Sequence, residues 1–380
     1  MVRTIAIGKT TDYFFHVAIS STISGAISGA LDAVLDEAST RGAYSAAVTL
    51  VAVDGRPVYR RAVGCIRSWD APGEPAEEAW PAADASTRFD LASVTKPIVA
   101  AALLAELEAH GLGPELPVAE VLEEFRDPSR RSVTITQLLS HTAGFAAEWT
   151  DREPDPGGAR FRAGARPESP PGAVHRYSCV GYIWAGLAAE ALASAPLDEV
   201  VRARVLDPLG MTQTSYRPEP ELRPGIAATE FQPGRGLVHG EVHDETAWAL
   251  GGVAGNAGLF GTAGDLLRFA EAVRTRGRVD DRRVFAPAVA AALVTPVAVP
   301  GDPGYGQALG TRLDERWMRG LGPRTAGHTG FTGTGFVTEP GGRRSVVFLT
   351  NRVHPTRSSI ELLALRSRVV DLAAGLGGTA

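Results

Sequence analysis

A serine and a lysine lie three residues apart in Ser93-Val94-Thr95-Lys96, directly before an apolar stretch that continues to Gly111. Residues three apart on a helix share a face, so the amine of Lys96 can contact the hydroxyl of Ser93. Such a lysine is either a solvated surface residue or a base that activates the hydroxyl. To act as a base near pH 7, it needs a pKa far below its ordinary value of about 10.4, which burial beside cationic or hydroxyl groups can supply.

The same stretch predicts where a helix begins. Pro97 is tolerated in the first turn of a helix, where its missing N–H removes at most one donor. Ser93 then lies at the N-cap or in the first turn, where unpaired backbone N–H groups and the positive end of the helix dipole can stabilise developing negative charge.

Two further stretches carry polar groups beside regular elements. Tyr177-Ser178-Cys179 precedes an apolar helix pattern, and His328-Thr329-Gly330 lies on a predicted strand near the end of the chain. By itself, each has an ordinary structural explanation: Tyr177 as a core aromatic side chain, and His328 as a strand residue with its hydrogen bonds satisfied.

The elements that must position these groups follow from periodicity. Residues 23–38 carry apolar side chains at helical spacing, and two β-rich runs within 46–64 meet at Asp54-Gly55, a strong hairpin signal. Helical patterns dominate from Ser93 to about residue 293, interrupted by irregular loops at 151–172 and 217–240. The chain then predicts two strands around a Pro-Gly-Gly turn at 340–342, followed by a final helix over 358–376.

This order predicts an α+β fold. Residues 23–90 and 300–380 would form one antiparallel sheet flanked by the N- and C-terminal helices, and residues 91–299 a mainly helical insertion, after an N-terminal extension at 1–22. We expect the active site in the cleft between the two regions.

The three stretches, in this order and at these separations, resemble the motifs of the serine β-lactamase and penicillin-binding-protein superfamily, specifically its class C-like and esterase branch. Three others are similar to that branch: LLSHTAGF (138–145), VLDPLGMTQTSY (205–216) and GGVAGNAGLFGTAGDLLRFA (251–270). The resemblance runs from about residue 25 to the C-terminus and implies a β-lactamase/DD-peptidase-like fold.

The resemblance also implies roles for individual residues. Ser93 would be the nucleophile that forms an acyl-enzyme, Lys96 the residue that accepts or relays its proton, and Tyr177 a general base or acid. His328, Thr329 and Gly330 match the Lys-Thr-Gly strand motif of the superfamily and would bind substrate. The backbone N–H groups of Ser93 and Phe331 would then form an oxyanion hole.

The sequence departs from the family pattern at Cys179, where the tyrosine motif usually ends in asparagine. A thiol is a weak hydrogen-bond donor and behaves as a small apolar group. This substitution disfavours β-lactamase and peptidase activity, both of which use amide recognition there. It leaves transfer of an acyl group from an ester-like donor as the favoured reaction.

The leading hypothesis is therefore a serine-nucleophile esterase or transacylase. It would take an acyl group from a small ester-like or activated-amide donor and pass it to water, or to an amine or alcohol acceptor. The alternatives are a β-lactamase or D-amino-acid peptidase, and a non-catalytic penicillin-binding-like sensor.

Composition limits the partners and the location. The net charge of −5 over 380 residues provides no basic field for nucleic acid or an anionic membrane, and two cysteines argue against a disulfide scaffold. The longest apolar run is too short for a transmembrane helix. We expect a cytoplasmic protein, since Asp12 and His16 interrupt what would be the apolar core of a secretory signal.

No cofactor or metal is expected. His239 and His243 share a helix face if their segment is helical, and neighbouring acids at 241, 244 and 245 could complete a zinc site. The segment follows a glycine-rich loop and lacks the His-Glu-x-x-His order, so a metal-free connection into the helical region is the favoured interpretation.

Overall fold

The structure is a computed structural model that describes residues 10–78, 80–357 and 362–377. Within these residues the helices are α1 Thr10–Thr40, α2 Thr95–Ala109, α3 Ile135–Leu139, α4 Ala159–Gly164, α5 Cys179–Ala193, α6 Leu197–Val201, α7 Asp207–Leu209, α8 Glu245–Ala249, α9 Ala263–Arg274, α10 Pro287–Ala292 and α11 Leu362–Ala373. Short 3-10 helices span Ala92–Val94, Val118–Glu120, Glu123–Arg126, Pro220–Gly225 and Arg316–Leu321, and a π-helical turn at Arg202–Leu206 joins α6 to α7.

The strands of the described residues are mostly short. They are β1 Ala46–Val53, β2 Arg56–Gly64, β3 Trp69–Ala71, β4 Glu74–Pro75, β5 Phe89–Asp90, β6 Ser215–Tyr216, β7 Phe231–Gln232, β8 Gly236–Leu237, β9 Leu259–Gly261, β10 Arg278–Val279, β11 Arg282–Arg283, β12 Gly306–Gln307, β13 Arg312–Leu313, β14 Ala326–Thr329, β15 Gly335–Thr338 and β16 Arg344–Thr350.

A seven-stranded antiparallel sheet joins the two ends of the chain. Its order is β12-β13-β14-β15-β16-β1-β2, so the N-terminal hairpin is continuous with the C-terminal strands. Strand β1 pairs with β16 from Ala47 opposite Thr350 to Val53 opposite Arg344. The hairpin turns at Asp54 and Gly55, both with positive φ, as the sequence predicted.

The C-terminal strands differ from the prediction in number. The segment expected to form one strand before the 340–342 turn forms two, β14 and β15, because a tight turn interrupts it. The N–H of Gly330 donates to Thr334 O at 2.8 Å, and Gly333 adopts a φ of 112°, which favours glycine. The turn reverses the chain beside the predicted site.

Both faces of the sheet are covered, which explains why all eight residues of β1 are buried. Val51 and Phe348 pack with Leu31 and Leu35 of α1 and with α11 on one face. Leu50 and Leu349 face the opposite side, where they join the core of the helical region. Successive strand residues alternate between the two faces, as the pleat requires.

The terminal helices extend differently from their predicted limits. Helix α1 begins at Thr10 rather than near residue 23, so residues 10–22 of the predicted N-terminal extension are helical. Residues 1–9 lie outside the described part, as do residues 358–361 of the predicted final helix. Helix α11 spans Leu362–Ala373.

The helical region is built around α2. This helix is buried along most of its length, and Ile98, Val99 and Leu103 are fully buried, which is typical of a central helix packed on all sides. It contacts α5 and α10. The predicted irregular loop at 151–172 contains only the short helix α4. The predicted domain limits themselves stay a prediction.

Candidate active site

The position of Ser93 is fixed by the chain that enters α2. Strand β5 ends at Asp90, whose buried carboxylate accepts the N–H groups of Ala92 at 2.8 Å and of His243 at 2.7 Å. Ala92 has a φ of 48°, an uncommon conformation for a residue with a Cβ. The bond from its N–H to Asp90 supports this turn, which places Ser93 half-buried at the start of the helix.

Lys96 lies one turn further on and is fully buried. Its Nζ donates to Ser93 Oγ at 3.0 Å, to the backbone oxygen of Asn256 at 2.9 Å, and to Cys179 Sγ at 3.4 Å. A charged lysine amine has three hydrogens, and these three acceptors account for all of them. The lysine is therefore oriented at Ser93 by two other groups and is not a solvated surface residue.

The expected low pKa of Lys96 is not what the surroundings produce. Burial lowers the pKa of the amine, but the anionic forms of Cys179 and Tyr177 and the carboxylate of Asp244 raise it, and the balance lies above the ordinary value of a lysine. Burial also raises the pKa of the Cys179 thiol, which favours its neutral form. The raised pKa keeps Lys96 charged in the free protein, where its amine donates a hydrogen bond to Ser93.

Tyr177 and Cys179 reach the lysine from the start of α5. Ser178 caps this helix: its Oγ accepts the N–H of Gly181 at 3.0 Å and donates to Ala146 O at 2.5 Å. The N–H of Cys179 also donates to Ala147 O at 2.7 Å. These bonds hold the two side chains that flank Ser178 against Lys96.

Tyr177 has two cations beside its ring. Lys96 Nζ lies 5.1 Å from the ring centroid and the Arg312 guanidinium 4.9 Å from it. The ring also packs against His141, with centroids 4.6 Å apart. His141 follows α3 in the left-handed conformation, and its Nδ1 accepts the N–H of Ser178 at 3.1 Å.

His328 lies behind the tyrosine. It is 2% exposed, its Nδ1 lies 2.8 Å from Thr329 O, and its ring centroid is 6.1 Å from that of Tyr177. Burial, followed by the charges of Arg312 and Lys96, holds the pKa of His328 well below its ordinary value. It is thus a neutral imidazole outside the cleft lining, whereas Thr329, Gly330 and Phe331 line the cleft beside Ser93.

The turn after β14 is tied directly to the residues that precede Ser93. Thr332 Oγ1 donates to Asp90 O at 2.7 Å, and Thr334 Oγ1 donates to Leu91 O at 2.9 Å. At Gly330 an added Cβ would lie 2.5 Å from Leu91 O, so only glycine allows this approach. The strand edge and the nucleophile are therefore positioned as one unit.

The two predicted oxyanion donors are available. The backbone bonds of the 3-10 helix run from Val94 N to Leu91 O and from Thr95 N to Ala92 O, and within the described part of the chain the N–H of Ser93 donates to no backbone oxygen. Among the described residues, the N–H of Phe331 donates to no protein group. Both residues line one cleft of about 1160 Å³, which also receives Tyr177 and several arginines.

Sequence reasoning assigned no catalytic role to Asn256, and it considered Asp244 only as a possible zinc ligand. Asn256 lies within 251–270, a stretch assigned to the family by similarity alone. Its backbone oxygen accepts from Lys96, and its Nδ2 donates to Asp244 Oδ1 at 3.1 Å. Arg312, on the short strand β13, was also missed, because no local pattern distinguishes it from other arginines.

The histidines considered for zinc have other partners. His239 Nε2 lies 2.8 Å from Ile226 O, and His243 Nε2 lies 2.8 Å from Glu230 Oε2. In residues 10–78, 80–357 and 362–377, no three histidine, cysteine or acidic side chains are grouped as metal ligands would be.

In the same described residues, no single helix has the length and apolar character to cross a bilayer. Two consecutive helical segments, Cys179–Ala193 and Leu197–Leu209, reach that length and apolar character only when taken together, and the chain bends by 80° between them.

Residues 31–370 match the family model described as Beta-lactamase. A protein of Escherichia coli (strain K12) named "Putative D-alanyl-D-alanine carboxypeptidase" is 29% identical over 348 residues, which cover 82% of this chain and 79% of that protein. The solved structure of "EstCE1, a hydrolase with promiscuous acyltransferase activity" has a TM-score of 0.70 at 24% identity, covering 92% of this chain and 99% of that one. "A class C beta-lactamase" has a TM-score of 0.71 at 18% identity, covering 90% and 95%.

The structural likenesses confirm the predicted α+β fold with its multi-stranded antiparallel sheet. The family match confirms the resemblance stated from the three motifs, and it spans both the sheet and the helical region. This chain belongs to the beta-lactamase family, whose fold its sheet and helices adopt.

Proposed function

We propose that the protein is a serine acyl-transfer enzyme that forms a covalent acyl-enzyme on Ser93 from a small ester-like donor. The observation that carries this proposal is the 3.0 Å contact between Lys96 Nζ and Ser93 Oγ. A fully buried amine with two of its hydrogens committed to Asn256 O and Cys179 Sγ directs the third at the hydroxyl. A purely structural lysine has no need of this arrangement.

In the acylation step, Ser93 Oγ attacks the donor carbonyl, and the carbonyl oxygen becomes negative. The free N–H groups of Ser93 and Phe331 would stabilise that oxygen, a contribution typically worth about 3–4 kcal/mol for one donor. The phenolate form of Tyr177 takes the proton of Ser93 as Oγ attacks, and the phenol returns that proton to the leaving alkoxide as the carbonyl–oxygen ester bond breaks, so an alcohol is released. Lys96 is charged and donates to Oγ throughout, so it holds the hydroxyl while Tyr177 serves as the base.

In the second step an acceptor attacks the acyl group, and Ser93 recovers its proton. Water as the acceptor gives an esterase, whereas an amine or alcohol gives a transacylase. The volume of the cleft, about 1160 Å³, supports access for an organic acceptor. The activity named for the solved hydrolase with promiscuous acyltransferase activity is consistent with either outcome.

D-alanyl-D-alanine carboxypeptidase activity is the second candidate, because the Escherichia coli relative carries that name. Against it stands Cys179, which lies against Lys96 where the family motif has asparagine. A thiol cannot supply the paired donor and acceptor of an amide to a peptide substrate. We therefore rank ester-like donors above peptides and β-lactams.

Intact-protein mass spectrometry after exposure to p-nitrophenyl acetate tests the proposal. We expect a single acetyl adduct that peptide mapping places on Ser93 and that Ser93→Ala lacks, while Ser86→Ala, a surface control, retains it. A product ratio that changes with added amine would assign transfer over hydrolysis. A folded protein that never forms an adduct would instead support the non-catalytic sensor.

A further inference from the structure

The cleft beside Ser93 contains an unusual concentration of positive charge. One carboxylate, Asp371, lines it together with six arginines: Arg312, Arg316, Arg319, Arg352, Arg366 and Arg368. The chain as a whole has a net charge of −5, so this positive charge is local. A cleft with one sign of charge attracts ligands of the opposite sign.

Most of these arginines have no acidic partner to neutralise them. Arg312 pairs with Glu315 at 2.9 Å, and Arg368 approaches Glu37 at 3.4 Å. Among the described residues, no carboxylate lies within salt-bridge distance of the other four, Arg316, Arg319, Arg352 and Arg366. The cleft therefore holds uncompensated positive charge.

Two of the four, Arg352 and Arg366, donate hydrogen bonds to the turn that contains Phe331, one of the two candidate oxyanion donors. Arg352 Nε donates to Phe331 O at 2.8 Å, and its guanidinium lies 4.7 Å from the Phe331 ring centroid. Arg366 Nη2 donates to Thr334 O at 2.9 Å and to Gly330 O at 3.3 Å. An anion bound by either guanidinium would lie beside the acylation site.

Arg366 is the most constrained of the group. Its Nε is buried and has no hydrogen-bond partner among the described residues. Burial, with the neighbouring charge of Arg352 next, lowers the pKa of Arg366 to about 9. The charges of Arg352 and Arg312 are offset only in part by that of Glu315, an arrangement that a bound anion would relieve.

We propose that the substrate acylating Ser93, or the acceptor that follows it, carries a phosphate or diphosphate group that binds this arginine cluster. This inference rests on the proposed function and specifies its substrate class. A single carboxylate can engage one guanidinium in a bidentate pair, whereas a phosphate group has oxygens and charge for several. Four unpaired arginines around one cleft fit the phosphate better than a carboxylate.

Isothermal titration calorimetry with inorganic pyrophosphate tests the binding without any acylation. We expect one site per chain, with at least about tenfold weaker binding in Arg316→Gln/Arg319→Gln, since hydrogen bonds to charged groups contribute about 1.5–3 kcal/mol each. Both residues are exposed, which favours correct folding of the variant. The control Arg131→Gln/Arg282→Gln removes the same charge from exposed arginines outside the cleft lining and should bind as the parent does.

Succinate at the same ionic strength separates the two anion chemistries. Binding of succinate as tight as that of pyrophosphate would overturn the phosphate assignment in favour of a dicarboxylate. Absence of pyrophosphate binding, or equal weakening in the control variant, would overturn the site itself.

Acetylation of Ser93 by p-nitrophenyl acetate, a neutral donor, distinguishes this inference from the proposed function. We expect saturating pyrophosphate to slow acetylation at least about tenfold, because its site adjoins Ser93. Normal acetylation without pyrophosphate binding would refute only the arginine-cluster proposal. Pyrophosphate binding in a protein that never acetylates would leave the anion site in place, but it would refute the serine-enzyme proposal and with it the assignment of the bound group to that enzyme's substrate.

Discussion

The Nζ of Lys96 lies 3.0 Å from the Oγ of Ser93 and 2.9 Å from the backbone oxygen of Asn256, inside a core that excludes solvent from the lysine. The chain has 38 basic residues, and only two of them, Lys9 and Lys96, are lysines. A compact amine can meet three acceptors in a small space, whereas the planar guanidinium of arginine cannot.

We therefore predict that Lys96→Arg, although it keeps the charge, slows acetylation of Ser93 nearly as much as Lys96→Met does. The expected loss is about 10²–10⁴-fold, the range for removing a group that assists proton transfer. Stopped-flow release of p-nitrophenol gives the rate, and circular dichroism checks folding. Rates within a few fold of the parent in folded Lys96→Met would show that the lysine has no part in the chemistry.

A second prediction concerns Cys179, whose Sγ lies 3.4 Å from Lys96 Nζ. Replacing it in Cys179→Asn restores an amide that can hold the lysine and contact a peptide or β-lactam carbonyl. We expect kcat/KM for a chromogenic cephalosporin to rise relative to that for p-nitrophenyl acetate. Cys65→Asn, at the chain's other half-buried cysteine, serves as the control, and an unchanged ratio in Cys179→Asn would argue against amide recognition at this position.

The close approach of Gly330 to the residues before Ser93 gives a third prediction. A Cβ at this position would lie 2.1 Å from Thr334 Oγ1 and 2.5 Å from Leu91 O. Gly330→Ala must push the turn away from Ser93 and displace the N–H of Phe331. Loss of one oxyanion donor typically lowers kcat about 10²–10³-fold.

Steady-state ester hydrolysis measures this effect, with Gly113→Ala as the control, since an added Cβ there has no atom within 4 Å. Activity near that of the control in folded Gly330→Ala would mean that the Phe331 N–H does not serve the reaction.

The pH dependence of stability provides a fourth prediction, at His354. Burial lowers the pKa of this histidine to about 4. Its Nε2 accepts the N–H of Ser68 at 3.1 Å, so its Nδ1 carries the hydrogen that is donated to Thr229 O at 2.8 Å. Protonation would destroy the Ser68 bond. Because the folded pKa lies below the unfolded value of about 6.5, the unfolded chain binds the proton more readily, and this histidine's contribution is lost as pH falls from about 6.5 to 4.

Urea unfolding at several pH values measures this loss. We expect His354→Gln, which retains a donor and an acceptor, to unfold with a shallower dependence of free energy on pH across that interval. An identical dependence in parent and variant would assign the acid sensitivity to other groups.

Local sequence patterns were sufficient to predict those features that depend on residues close together in the chain. The Asp54-Gly55 hairpin was predicted because a tight turn needs residues that tolerate positive φ, and both adopt it. The pairing of Ser93 with Lys96 followed from helical spacing, and the joining of the chain's two ends from the order of strands and helices. The motifs together indicated the family, which the match over residues 31–370 established.

The tertiary structure alone decided the electrostatics and the shape of the site. The charged state of Lys96 depends on Cys179, Tyr177 and Asp244, which are distant in sequence, so spacing could not reveal that its pKa rises. Asn256 has its role because its backbone oxygen accepts a hydrogen bond from Lys96, which is 160 positions away in the chain, so no local pattern could predict it. The arginine cluster gathers residues 312–319, 352 and 366–368 around one cleft, and charge density in space cannot be read from charge order along a chain.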